Sequence, residues 1–437
     1  MNNSVVAAVD WRQLFTVFGR IGLLSFGGPA GQIALMHREL VEEQKWLDEE
    51  RFLHALNFCM LLPGPEAMQL ATYSGWLLRG VAGGLLAGLL FVLPGFAVMV
   101  ALSTAYLYFG DLPVADGVLL GLKAAVLAIV VQAMMKVAGR ALKTPLAYGL
   151  AIAAFVAIAL LKLPFPLIIL GAGLIGITNG LLAEKHQTVA PMETAGAHGQ
   201  SIRGSSLQAV LVWGAVWLLP LGILHFAMPG TFAEMAVFFS QAAVVTFGGA
   251  YAVLAYVGQL AVEVHGWLLP GEMLAGLGLA ETTPGPLILV LVFVGYLGGA
   301  RAMADLPLLG GLTGAFVALF FTFVPCFLWI FAGAPHVERL RNIKWLAKGL
   351  SAITAAVVGV IANLAVWFAL HVLFGRVGEK TVGLLHLPIP DLSTLNPVAL
   401  LIALAAGVAL IRFQIDLLKV LGAAVVIGVA CTFFGWA

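Results

Sequence analysis

The chain has 437 residues, of which 62% are hydrophobic and only 10% are charged, and its mean hydropathy is +1.04. A soluble domain carries about 25% charged residues, so this chain cannot cover itself with a water-compatible surface and must be covered by lipid. The net charge of +1 argues against a nucleic-acid partner. The apolar runs are continuous and do not alternate, which excludes an outer-membrane β-barrel. The three cysteines lie far apart, so neither a disulfide framework nor a metal site is predicted, and no cofactor is expected.

Nine apolar stretches along the chain predict membrane-spanning helices, because a span needs roughly 20 apolar residues. They cover approximately residues 81–109, 117–139, 145–162, 165–183, 207–228, 306–333, 347–374, 397–411 and 420–436.

An internal repeat organises these elements. The run Ser25-Phe26-Gly27-Gly28-Pro29-Ala30 recurs as Thr246-Phe247-Gly248-Gly249-Ala250-Tyr251, and Pro63-Gly64-Pro65 recurs as Pro284-Gly285-Pro286, both at the offset that separates Ser25 from Thr246. Further along, Leu93-Pro94 corresponds to Val324-Pro325 at a larger offset, which indicates an insertion in the second copy. We therefore predict a duplication with one repeat over residues 1–183 and another over 229–437. A polar linker and a connecting transmembrane helix occupy 184–228.

Two motif regions in each repeat differ from ordinary spans. In the first repeat, residues 11–44 are interrupted at Gly27-Gly28-Pro29 and residues 52–78 at Pro63-Gly64-Pro65. Each arm has about 12–16 residues, or roughly 18–24 Å of helix, which is too short to cross about 30 Å of hydrocarbon. We predict helical hairpins that turn in mid-membrane, with a kinked full span as the alternative. The expected fold is an all-α polytopic membrane protein in which each half has two broken helical hairpins and about four spanning helices.

Loop charge predicts the relative orientation of the halves. The loop at 110–116 has no Lys or Arg, whereas the equivalent loop of the second half contains Arg339, Arg341, Lys344 and Lys348. Cytoplasmic loops collect Lys and Arg, so equivalent loops are expected on opposite faces. The five spans between the two sets of hairpins, an odd number, require the same inversion. An inverted-topology repeat follows.

The breaks are the candidate substrate site. Each break starts a half-helix whose first N–H groups lack intrahelical partners and whose dipole favours an anion. Transporters with inverted repeats place substrate where such breaks meet. Packing turns are the alternative, and we prefer it for Gly83, Gly84 and Gly88. The candidate substrate-binding residues are Ser25, Phe26, Gly27, Gly28, Pro29, Pro63, Gly64, Pro65, Glu66, Gln69, Thr246, Gly248, Gly249, Thr282, Thr283, Pro284, Gly285 and Pro286.

Ionisable groups inside the apolar segments are candidates for charge balance or coupling. Glu66 directly follows Pro65, and its repeat equivalent is Leu287. It either caps its own helix or carries a proton during transport. Glu281 is a second acid without an equivalent. Arg20 and Lys123 could offset the charge of a dianion, although Lys123 could instead reach an interface.

Several motifs together resemble the chromate ion transporters. They are Phe26-Gly27-Gly28-Pro29, ELVEEQKWL at 39–47, LPGPEA at 62–67, the Gly83-Gly84 pair with FVLPG at 91–95, and GLAETTPGPL at 278–287. The resemblance covers nearly the whole chain in the two-domain form of that family. One departure is Gly249-Ala250, where the first half has Gly28-Pro29. The resemblance implies export of chromate across the bacterial inner membrane, which confers resistance.

Several alternatives remain open. Sulfate has the charge and shape of chromate, so sulfate or another oxyanion is an alternative substrate. An anion channel is an alternative to a carrier, and a homodimer is left open. A membrane-embedded enzyme is a more remote alternative, because no HExxH or GxSxG motif occurs. No P-loop motif occurs either, so we expect no ATP hydrolysis within the chain, and transport would use an ion gradient.

Overall fold

The computed structural model describes residues 9–110, 112–184, 199–247, 250–336, 343–383 and 385–435. It confirms a helical, polytopic membrane architecture. Within the described residues, six helices are long and apolar enough to cross a membrane: Glu66–Phe109, Val114–Ala141, Phe165–Leu182, Ser206–Ala227, Pro307–His336 and Trp345–Leu373. The helices at predicted spans 145–162, 397–411 and 420–436 are apolar but shorter.

The described residues of the first half contain seven α-helices. The long helix α4 contains one arm of the second hairpin and the following span, and between them the chain turns back at Arg79 and Gly80, where Gly80 has φ +64°. The helices are α1 (Trp11–Leu24), α2 (Gly28–His37), α3 (Glu49–Cys59), α4 (Glu66–Phe109), α5 (Pro113–Ala141), α6 (Pro145–Ala159) and α7 (Phe165–Glu184).

Helix α8 (Gly199–Ala227) connects the halves. It begins before the predicted span at 207–228, inside the stretch that the sequence predicted as a polar linker. The rest of that linker, at 185–198, lies outside the described residues. The second half contains α9 (Thr231–Val245), α10 (Ala250–Gln259), α11 (Pro270–Thr282), α12 (Val290–Ala302), α13 (Pro307–Gly333), α14 (Lys344–Leu373), α15 (Pro397–Gly407) and α16 (Leu417–Phe433).

A small β-hairpin between α14 and α15 departs from the all-α expectation. Strands β1 (Val377–Val382) and β2 (Leu385–Pro390) are antiparallel, with Val377 opposite Pro390 and Val382 opposite Leu385. The Gly375 N–H donates to Thr394 O at 3.1 Å and the Asn396 N–H donates to Leu373 O at 2.7 Å, so the segments that flank the hairpin are bonded to each other. The residue pattern carries little strand signal here, since a pair of strands this short depends on its surroundings.

The chain reverses direction at both breaks of the first half. A continuous helix would separate Arg20 from Glu39 by roughly 28 Å at 1.5 Å per residue, yet their side chains form an ion pair. Likewise, the rings of Phe58 and Tyr73, which flank the second break, lie 5.4 Å apart. These regions are folded back, and the kinked full span is not what the structure contains.

The breaks of the second half are folded back in the same way. The Tyr256 hydroxyl lies 3.4 Å from Gln241 Oε1 across the first break. Across the other break, Gly276 faces the Phe293 ring so closely that a Cβ would clash with it. Four hairpins of helical arms therefore lie within the bundle.

Small residues let the two parts of α4, before and after Gly80, pack closely against each other. A Cβ at Gly84 would lie 2.9 Å from Thr72 O, and one at Gly88 would meet both the Thr72 hydroxyl and the Phe327 ring. Gly83 lies against the Gly75 carbonyl. The expectation that Gly83, Gly84 and Gly88 are packing residues is confirmed.

Candidate substrate site at the helix breaks

The breaks of the two halves meet through a reciprocal pair of backbone hydrogen bonds. The Gly64 N–H donates to Thr246 O at 2.7 Å, and the Gly285 N–H donates to Ser25 O at 2.8 Å. Gly64 and Gly285 are equivalent positions of the repeat, as are Ser25 and Thr246. Each half therefore contributes the same donor and the same acceptor to the other half. Breaks that lie far apart in the chain are joined at one place.

Glycine is required at both donor positions. Gly64 has φ +122° and Gly285 has φ +92°, conformations that L side chains rarely adopt. A Cβ on Gly64 would lie 2.8 Å from Cys326 Sγ, and one on Gly285 would lie 3.7 Å from Gly95 Cα. Because Cys326 is the equivalent of Gly95, each following Pro94 or Pro325, these contacts repeat as well.

The hydroxyls at the breaks are engaged within the protein. Ser25 Oγ donates to Ile21 O at 2.6 Å, and the equivalent Thr246 Oγ1 donates to Ala242 O at 2.5 Å. Thr282 and Thr283 donate to the carbonyls of Leu279 and Ala280. These four residues were predicted to bind substrate, but their hydroxyl protons satisfy carbonyls at the ends of the preceding helices. The Gly64 and Gly285 amides are likewise bonded, each to a carbonyl of the opposite half.

Free amides remain at the start of α2. The N–H groups of Gly27, Gly28 and Ala30 have no hydrogen-bond partner among the described residues. Gly27 and Gly28 have φ +83° and +71°, with nothing within 4 Å of where a Cβ would lie. Pro29, in the first turn, has no N–H to satisfy. This helix end is open among the described residues, and it stays a candidate anion site.

The start of α4 is the second open helix end. Pro65 precedes its first turn in an extended conformation, and the amides of Ala67 and Met68 have no partner within the described part of the chain. Pro65 is buried and Pro63 is half-buried, as is Phe26 at the other break. Pro284 and Pro286 are buried beside Gly285. Gly248 and Gly249 lie outside the described residues.

Two buried glutamines hold the breaks together. Gln69 Nε2 donates to Pro63 O at 2.7 Å, and Gln32 Nε2 donates to Gly285 O at 2.6 Å, across the two halves. The Oε1 atom of each is buried without a hydrogen-bond partner, and a buried acceptor without a donor is costly. Sequence reasoning found Gln69 but missed Gln32, although a lone amide one turn after Gly28 on an apolar arm was the available signal.

The two acids occupy different environments. Glu66 is the first residue of α4 and half-buried, its carboxylate interacts with its own backbone N–H, and it forms no ion pair with the described residues. Glu281 is buried, and Tyr251 Oη donates to its Oε1 at 2.6 Å.

The two predicted cations lie elsewhere. Arg20 pairs with Glu39 and also lies 3.4 Å from Glu43, so it does not face the breaks as a free charge. Lys123 Nζ lies beside Gly271 at the start of α11, and Lys123 forms no ion pair with the described residues. Arg20 therefore balances carboxylates of the protein itself, whereas Lys123 lies at the start of another helix.

Broken helices that meet inside a bundle of long apolar helices define a polytopic membrane transport protein. The chain belongs to the chromate transporter family, which matches residues 12–177 and again residues 233–430. The family thus matches once in each half.

Curated relatives agree with this assignment. The chain is 34% identical to a chromate transport protein of Pseudomonas aeruginosa over 87% of its own length and 86% of the relative's. It is 29% identical to a chromate transport protein of Cupriavidus metallidurans, over 82% of both chains. A probable chromate transport protein of Synechococcus elongatus is also 29% identical, over 82% of this chain and 84% of the relative. No solved structure matches the chain.

Proposed function

We propose that the protein carries chromate across the bacterial inner membrane as a secondary transporter. The observation that carries the proposal is the reciprocal pair of hydrogen bonds between Gly64 and Thr246 and between Gly285 and Ser25. These bonds bring helix starts from both halves to one place, the arrangement in which transporters bind substrate. Relatives over most of the chain are named chromate transport proteins.

Chromate is a tetrahedral dianion, and the open amides at the starts of α2 and α4 suit such a ligand. Gly27, Gly28 and Ala30 offer N–H groups at one helix end, and Ala67 and Met68 offer them at the other. Each helix end contributes about half a positive charge. Backbone donors hold an oxyanion without a buried cation. A buried cation would resist release of the anion. Sulfate fits the same donors, so the geometry alone does not separate the two anions.

We further propose that the halves are inverted repeats. Lys136 and Arg140, at the C-terminal end of α5, and Lys348 on α14 would then lie on the cytoplasmic side. The hairpins of the first half would enter from the cytoplasm and those of the second half from the periplasm. Movement of the two halves against each other would expose the breaks to each side in turn.

The topology is tested by cysteine labelling. A cysteine at Gly110 is expected to react with a membrane-impermeant maleimide added to intact spheroplasts, and one at Asn342, which lies outside the described residues, only in everted vesicles. The loops correspond in the repeat, so opposite accessibility means inverted halves. Labelling of both from the same side would exclude the inversion.

Flux measurements test the function. In everted vesicles, uptake of radiolabelled chromate corresponds to export from the cell, and we expect it to saturate and to respond to an imposed proton gradient. Chromate uptake no faster than in vesicles without the protein would refute the proposal. Faster uptake of sulfate than of chromate would identify sulfate as the substrate. Flux that does not saturate would favour a channel.

A further inference from the structure

The first hairpin of each half ends in the same unusual backbone. A π-helix follows α2 at Arg38–Glu43, and another follows α10 at Leu260–Val264. The chain then turns with the same hydrogen bonds: Trp46 N–H to Leu40 O at 2.9 Å in the first half, and Trp267 N–H to Ala261 O at 2.9 Å in the second. The bonded residues correspond at the same offset as Ser25 and Thr246, so the two hairpins are matched at the level of the backbone.

The side chains across these matched hairpins are not equivalent. In the first half Arg20 on α1 pairs with Glu39 and Glu43 of the π-helix, and Glu43 also lies 3.6 Å from Arg38. The Glu39 side chain is only 3% exposed. The positions equivalent to Arg20, Glu39 and Glu43 in the second half are Gln241, Leu260 and Val264, which cannot form an ion pair.

Where the ion pair is missing, the second half has a cavity. It measures about 360 Å³, large enough for several water molecules or a small anion, and lies between α9 and the second π-helix. Gln241 and Leu260, the counterparts of Arg20 and Glu39, line it together with His225, Glu234, Phe238 and His265. Phe238 corresponds to Val17, which is buried in the first half.

We infer that the cluster of Arg20, Glu39 and Glu43 is a gate that closes the first hairpin of the first half, while the matched hairpin of the second half has a cavity at the equivalent place. This inference rests on the proposed carrier function, because a carrier must never open both sides together. An isolated buried carboxylate is strongly unfavourable. Glu39 therefore favours the closed form while Arg20 is present, and it favours a hydrated, open form once Arg20 is withdrawn.

The gate is tested by the reactivity of a cysteine at a buried position one turn before Arg20 on α1. In a Cys431→Ala background, Val17→Cys is a small change at a buried position, and native Cys59 and Cys326 are also buried. Arg20→Gln, which copies Gln241, is expected to raise the rate of maleimide labelling at position 17 about tenfold, since the uncompensated Glu39 carboxylate recruits water. The same variants without Val17→Cys measure any labelling of the native cysteines.

Two further variants make the result decisive. The charge exchange Arg20→Glu with Glu39→Arg is expected to return labelling to the slow rate, because it rebuilds the pair in reverse. Arg12→Gln is the matched control, an exposed arginine on the same helix that forms no ion pair with described residues. Unchanged labelling in Arg20→Gln would overturn the gate, as would equally fast labelling in the charge exchange.

Labelling needs no substrate, so it is independent of the transport assay. If the wild-type protein moves chromate and Arg20→Gln does not change labelling, only the gate fails. If no chromate moves while labelling rises and is reversed by the charge exchange, the gate stands and the proposed substrate fails.

Discussion

Replacing Gly64 with alanine is expected to destabilise the folded protein more than any other single change at the breaks. Its φ of +122° costs a non-glycine residue about 1–3 kcal/mol, and the new Cβ would lie 2.8 Å from both Cys326 Sγ and Gln69 Nε2. Overpacking of this kind costs a further 1–3 kcal/mol or so. We expect a large fall in the melting temperature of the detergent-purified protein and a loss of monodisperse material. Gly285→Ala should act in the same direction.

Gly27→Ala is the matched control for this prediction. Gly27 also has a positive φ, +83°, but nothing lies within 4 Å of where its Cβ would be. The substitution carries backbone strain without a clash, so the protein should remain folded while anion transport falls. A Gly64→Ala protein as stable as Gly27→Ala would contradict the view that Gly64 forms a crossing point between the halves.

Glu66→Gln is expected to abolish the response of chromate flux to pH while leaving a folded protein. Glu66 lies at the start of α4 and forms no ion pair with the described residues, so its charge is free to respond to a neighbouring anion. A bound dianion favours the protonated carboxyl, and its departure favours the charged form. Glutamine keeps the size and the hydrogen-bonding capacity of the side chain and removes only the charge. The measurement is flux in vesicles from pH 6 to 8.

The competing role for Glu66 is a carboxylate that only stabilises its own helix end. That role predicts a loss of about 0.3–1 kcal/mol of stability with the pH profile of flux intact. Glu50→Gln is the control, because Glu50 also lies in the first turn of a helix but its side chain is 85% exposed. Identical pH profiles in the wild type and Glu66→Gln would mean that the Glu66 carboxylate only stabilises its own helix end.

The sequence by itself determined the long apolar helices and the places where the hairpins break, but not the β-hairpin at Val377–Pro390. Hydropathy identified the long spans because about 30 Å of hydrocarbon admits only sustained apolar helices. Gly27-Gly28 and Pro63-Gly64-Pro65 marked the breaks, because glycine with positive φ and proline without an N–H have few other uses inside such segments. The constant offset between the two copies of the motifs also predicted that Ser25 and Thr246, and Gly64 and Gly285, would play matching parts.

Only the tertiary structure decided what those residues do. The Gly64 and Gly285 amides were predicted to face an anion, but each is satisfied by the opposite half, since a buried N–H binds whatever acceptor packing brings nearest. Arg20 was predicted to balance substrate charge and instead pairs with Glu39, a residue 19 positions away that approaches only when the chain folds back. Gln32 reaches Gly285 across 253 residues. Periodicity and spacing describe a segment and its copy, whereas the partner of a buried polar group is set by packing between segments.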